Sequence, residues 1–131
     1  MIQEEKDLLL KDLCARLPYG TKVRAFIGEK GENDEILGCV HIFNFYSHNC
    51  KPYLRPMSSM TEEENNERKQ LGILCAINSN HEKIFDGFGN ESVDTQLKAL
   101  DWLNAHHFDY RGLIEKGLAL EAPKDMYDNT K

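Results

Sequence analysis

The sequence predicts one α+β domain, 1–131: a small antiparallel sheet of about four strands from two hairpins, with an N-terminal and a C-terminal helix packed on it. Three observations carry this. Apolar residues recur at helical spacing near both ends of the chain, alternating or continuous apolar runs fill the middle, and Gly, Pro or Asn bound those runs. A length of 131 residues suits one core, and 9 Gly with 4 Pro are too few for a fibrous or disordered chain.

From Gln3 onward, Leu10, Leu13, Cys14 and Leu17 fall at i, i+3, i+4 and i+7, which gathers them on one helical face. Pro18 lacks an N–H and disfavours helical geometry before it, so the helix should stop near Arg16. Thr21 to Lys30 alternates Val23, Ala25 and Ile27 against Lys22 and Arg24, as a half-buried strand does. The polar run from Gly31 to Glu35 reads as a turn. Ile36 to Tyr46 has apolar residues on both faces and reads as a central strand, completing the first hairpin. Pro52 to Pro56 then leads away in extended form.

Ser59 with Glu62, and Thr61 with Glu64, both fit a capping box, so a helix is expected over 61–70. It is polar all round, which places it on the surface, and Gly72 ends it. Ile73 to Ile77 and Glu82 to Phe88 flank the turn Asn78-Ser-Asn80 and form a second hairpin. Asn90 or Ser92 caps the last helix, whose stripe is Val93, Leu97, Ala99, Leu100 and Leu103. That helix runs to about His106, and 122–131 reads as a polar tail.

Sixteen Lys and Arg against 22 Asp and Glu leave a net charge of −6, which opposes generic nucleic-acid binding because that binding rests on clustered cations. No run approaches the ~18 apolar residues of a membrane span, so no membrane partner is expected. The acidic start is unlike a secretory signal, which points to a cytoplasmic protein. Cys14, Cys39, Cys50 and Cys75 are widely spaced in a chain large enough to hold a core, and free thiols are expected. Burial on the first helix should keep the Cys14 thiol protonated.

Three constellations offer chemistry. Cys39, His41, His48 and Cys50 form a Cys-x-His and His-x-Cys set suited to tetrahedral zinc, with Cys39 and His41 on one strand face. The spacing is not that of a knuckle, and a buried Cys beside a satisfied His explains it without metal, so no cofactor is predicted. His106 and His107 with Asp101 or Asp109 offer general acid–base groups. Neighbouring helical residues diverge by about 100°, though, and a histidine at a helix C-terminus is favourable without catalysis. Pro52 and Pro56 stiffen a segment that presents Tyr53 and Arg55, which with Tyr110 would make a recognition surface. The plainer reading has Tyr53 and Leu54 closing the end of the core.

The segments LPYG at 17–20, KPYLRPMSSMTEEE at 51–64 and DWLNAHHFDYRGLIEKGLALEAP at 101–123 resemble a family of small uncharacterised proteins of gut Bacteroidetes and their phages or mobile elements. The resemblance implies a cytoplasmic accessory role and carries no activity, cofactor or site residue. The expected function is a small non-enzymatic binding or regulatory module with a protein or small-molecule partner, self-association into a homo-oligomer staying open. The alternatives are a hydrolase-type enzyme using His106 or His107 with a nearby carboxylate, and a zinc-stabilised module.

Overall fold

The computed structural model describes residues 2–26, 32–43, 50–89, 92–123 and 126–127. Its mixture of helices and strands is the expected α+β class, arranged differently from the expectation. The first helix, α1, spans Gln3–Arg16 and passes through a 3-10 turn, Leu17–Tyr19, into Gly20 at φ 70°. Its buried face is Leu9, Asp12, Leu13 and Arg16. The helical period is the expected one and the phase is not, since Cys14 lies exposed. The reason is electrostatic: Asp12 and Arg16 stand one turn apart and bond each other at 2.8 Å, so two charged residues occupy core positions that a hydrophobic pattern assigns elsewhere.

Strand β1, Lys22–Phe26, pairs antiparallel with β2, Glu32–Ile36, in a register running from Lys22↔Ile36 to Phe26↔Glu32. The first hairpin therefore exists with a different second strand. The acidic stretch expected as a turn is the strand, and Cys39–Phe43 inside the expected central strand is the helix α2. Two physical facts account for the exchange. β2 lies at the sheet edge, where charge is tolerated and here engages Arg24 through Asp34 at 3.2 Å. A short run apolar on both sides also fits a buried helical turn as well as a strand.

Strand β3, Lys51–Leu54, pairs antiparallel with β1, and β6, Leu120–Glu121, pairs parallel with β3, giving the order β2-β1-β3-β6. The other expected hairpin is β4, Ile73–Ile77, with β5, Lys83–Phe88, but it stands as a separate two-stranded ribbon. The principal sheet is thus mixed and takes only one hairpin. Helix α3, Glu62–Gln70, carries the expected capping box: Thr61 accepts from the Glu64 N–H, and the Glu64 carboxylate accepts from the Thr61 N–H. Helix α4, Val93–Ala105, is capped by Ser92 and buries Ala99, Leu103 and Asn104. Val93 and Leu97 are exposed rather than part of the core stripe, because only the second half of α4 faces the ribbon cluster.

One apolar cluster joins α1 to the principal sheet through Leu9, Leu13, Val23 and Leu54, and another joins α4 to the ribbon through Ile73, Leu103 and Phe108. The two are tied where the Arg55 N–H donates to the His107 carbonyl at 2.7 Å and the Asp109 N–H to the Arg55 carbonyl at 2.8 Å.

The segment expected as a polar tail contains Tyr127, a turn residue whose side chain reaches the sheet. Its hydroxyl accepts from the Lys22 N–H and donates to the Tyr53 carbonyl, both at 2.7 Å, bridging β1 and β3. Burial, partly offset by the Lys22 N–H, pushes the phenol pKa up to about 12, so the hydroxyl keeps the proton it donates. Tyr127→Phe retains the ring and removes both bonds. The expected loss is about 1–3 kcal/mol, the cost of two backbone groups left without a partner, read as a lower urea midpoint at unchanged slope.

Candidate functional site

The Asp12 carboxylate is shared by two guanidiniums. One oxygen accepts from Arg16 Nε at 2.8 Å and the other from Arg111 Nε at 3.1 Å. Arg16, fully buried, also donates to the Phe108 carbonyl at 2.6 Å. Both guanidiniums approach the Tyr110 ring, at 5.2 and 4.9 Å from its centroid. The Tyr110 hydroxyl donates to Asn104 Oδ1 at 3.0 Å and accepts from Arg111 Nη2 at 3.2 Å. This network fixes Tyr110 and Arg111 against α1 and α4, although both lie in an irregular segment.

Outside it lies a cleft of about 520 Å³ between α1 with its 3-10 turn, α4 and the 110–111 segment. Cys14, Pro18, Leu97 and Leu100 contribute apolar or thiol surface, and Tyr19, Asp101, Asn104, Tyr110 and Arg111 contribute polar groups. The Tyr19 hydroxyl donates to Asp101 Oδ1 at 2.9 Å. That bond, with a smaller contribution from burial, raises the Tyr19 pKa, so the phenol keeps the proton it donates. A concave surface of this size with a few convergent polar groups is the usual form of a small-ligand site.

The sequence-derived acid–base residues do not meet. Only Asp101 lines the cleft. His106 Nδ1 lies 3.2 Å from Glu64 Oε2, with its ring against Trp102 at 4.5 Å. His107 is buried at φ 63°, bonds Thr21 Oγ1 at 3.2 Å and stacks on Tyr127 at 3.7 Å. Burial, assisted by the positive Arg16 and Arg55, lowers the His107 pKa to about 4. Asp109 accepts the N–H groups of Leu113 and Ile114 at 2.8 and 3.0 Å and so caps a turn. Burial raises its pKa despite those donors.

No protein-family model, curated protein or solved structure matches the chain.

The residues expected to form a recognition surface each make intramolecular contacts. Tyr53 is 4% exposed, its hydroxyl donating to Asp34 at 2.8 Å. Arg55 grips Glu64 with two bonds of 2.9 and 2.7 Å while lying over the Phe108 ring. Tyr110 alone reaches the cleft. Of the metal set, His48 falls outside the described residues. Cys39 and His41 stand on α2, where residues two apart diverge by about 200°, so they do not share the single face a strand would give them. His41 already accepts from the Gly38 N–H at 2.9 Å and faces Glu35 at 2.8 Å, and burial raises the Cys50 thiol pKa. Among the described residues no three potential ligands gather to hold a metal, and all four cysteines are free thiols. No helix among them is long and apolar enough to cross a membrane.

Tyr19, Asn104 and Arg111, with Asp12 and Arg16 behind them, are the site residues that sequence reasoning missed. The available signal was Asp12-x-x-x-Arg16 at ion-pair spacing within a predicted helix, together with Arg111 directly after Tyr110.

Proposed function

We propose that the protein is a small non-enzymatic binding or regulatory module whose ligand enters the cleft between α1 and α4. The observation that carries this reading is the convergence there of Asp101, Tyr19 and Arg111 between the apolar walls of Leu97 and Leu100. Each polar group is held from behind by a partner, the preorganisation that lowers the entropic cost of binding. The resemblance of 17–20, 51–64 and 101–123 to small proteins of gut Bacteroidetes and their phages supports placing such a module in a bacterial cytoplasm as an accessory protein.

A screen of nucleotides, sugars, organic acids, amines and amino acids by thermal shift tests the reading. At least one class should raise Tm, be recovered unchanged, and lose its effect in Leu97→Arg, which puts a bulky cation at an exposed cleft position without disturbing the core. Absence of any shift, or a shift that survives in the variant, refutes the cleft as the site.

A second reading, an acid–base enzyme, is favoured by the contact of His106 with Glu64, since a carboxylate orients an imidazole. His106 is partly exposed there, while Glu64 is also committed to Arg55 and the Thr61 N–H. Turnover that disappears in His106→Gln would distinguish it.

A further inference from the structure

We infer that the cleft recognises a zwitterion, an α-amino acid or dipeptide with an apolar side chain, through Asp101 and Arg111. This rests on the reading of the cleft as the binding site and names its ligand class. Asp12 is bonded to both Arg16 and Arg111, so its one carboxylate is divided between two guanidiniums, and the buried Asp109 carboxylate also faces Arg16. Arg16 is fully buried, which leaves Arg111, partly exposed on the cleft wall, as the guanidinium of this cluster that an anion can reach. Its Nε and Nη2 are engaged by Asp12 and Tyr110, and no partner for Nη1 occurs among the described residues.

Asp101 is the complementary case. Its carboxylate lines the same cleft and accepts from the neutral Tyr19 phenol, and among the described residues no cation lies within ion-pair distance of it. Asp101 and Arg111 are themselves not paired. The cleft thus presents, from α4, a carboxylate that no described cation pairs and, from the 110–111 segment, a guanidinium whose Nη1 is open to a ligand. A ligand carrying an ammonium and a carboxylate satisfies both, and each new bond is charge-assisted. Leu97, Leu100 and Pro18 supply apolar surface for a side chain, and about 520 Å³ admits one or two residues. A purely cationic or purely anionic ligand would leave one of the two charges facing it without a partner.

The test is titration of the full chain by amide-resolved NMR with four probes. L-leucine and leucyl-leucine carry both charges, leucine methyl ester lacks the carboxylate, and N-acetyl-leucine lacks the ammonium. Leucine or its dipeptide should shift the Asn104 and Arg111 amides, and each singly charged analogue should bind about tenfold more weakly or worse. In Asp101→Asn, an exposed replacement, the zwitterion's affinity should fall to that of N-acetyl-leucine while N-acetyl-leucine itself is unaffected. Equal binding of the singly charged analogues overturns the inference, as does absence of binding by all four. If the four fail while another compound class shifts Tm in the Leu97-dependent manner above, the ligand class is wrong and the binding cleft stands. If both experiments are blank, both fall together.

Discussion

Asp12→Ala is expected to cost about 3–5 kcal/mol of folding stability, the loss that follows when one partner of a buried ion pair is removed. The wild-type carboxylate and the Arg16 side chain are both 0% exposed and 2.8 Å apart. Without Asp12 the Arg16 guanidinium stays buried with the Phe108 carbonyl, the Tyr110 ring and the nearby Asp109 carboxylate, and loses its ion-pair partner, while Arg111 loses the same carboxylate. The loss should appear in urea unfolding followed by circular dichroism. Combining Asp12→Leu with Arg16→Met should recover a large part of it, because an apolar pair of similar volume replaces the charges without stranding either. A loss below about 1 kcal/mol in Asp12→Ala would mean that the pair is hydrated and not a core element. Because the same carboxylate holds Arg111, Asp12→Ala should also abolish any ligand response of the cleft at temperatures where the variant is folded.

This pair also shows where reading the sequence reaches its limit. Features encoded by neighbouring residues were legible: the stop of α1 at Pro18, the Thr61–Glu64 capping box, the turn at Asn78 and the Ser92 cap all depend on a few adjacent positions. The phase of α1 is not legible in its apolar spacing, because the Asp12–Arg16 pair takes the core face and is completed by Arg111, 99 positions away along the chain. The exchange of strand and helix at 32–43 has the same character. β2 exists through its register with β1, and that pairing outweighs the poor strand propensity of Glu-Asn-Asp-Glu. The role of Tyr127 is not legible, because nothing in its neighbours reveals that its hydroxyl meets Lys22 and Tyr53. Of the candidate site, Asp101 and Tyr110 are legible in the sequence, and their partners Tyr19 and Asn104 are not, for that reason.

Acid should destabilise the protein in two successive steps, the second large effect. His107 has a folded pKa lowered to about 4 from 6.5. The unfolded chain therefore takes up this proton first, the folded state carries no penalty above pH 6.5, and stability falls as pH drops from 6.5 to about 4. Glu64 behaves in the manner of a paired carboxylate. Burial pushes its pKa up, but the two Arg55 bonds, the Thr61 N–H and nearby His106 outweigh that and bring it from 4.5 down to about 2. Its contribution is complete above pH 4.5 and is lost between 4.5 and about 2. Each displacement corresponds to about 3 kcal/mol. Unfolding midpoints measured across this range should separate the two groups. His107→Asn, which tolerates the positive φ, should flatten the upper step and leave the lower one. Glu64→Gln should abolish the lower step and, because that contribution is already present at neutral pH, lower stability there by a similar amount. A lower step that survives in Glu64→Gln would assign it to another carboxylate, and Asp109, whose pKa is raised, cannot supply it: a raised carboxylate pKa makes the folded state bind its proton first and stabilises the fold as pH falls.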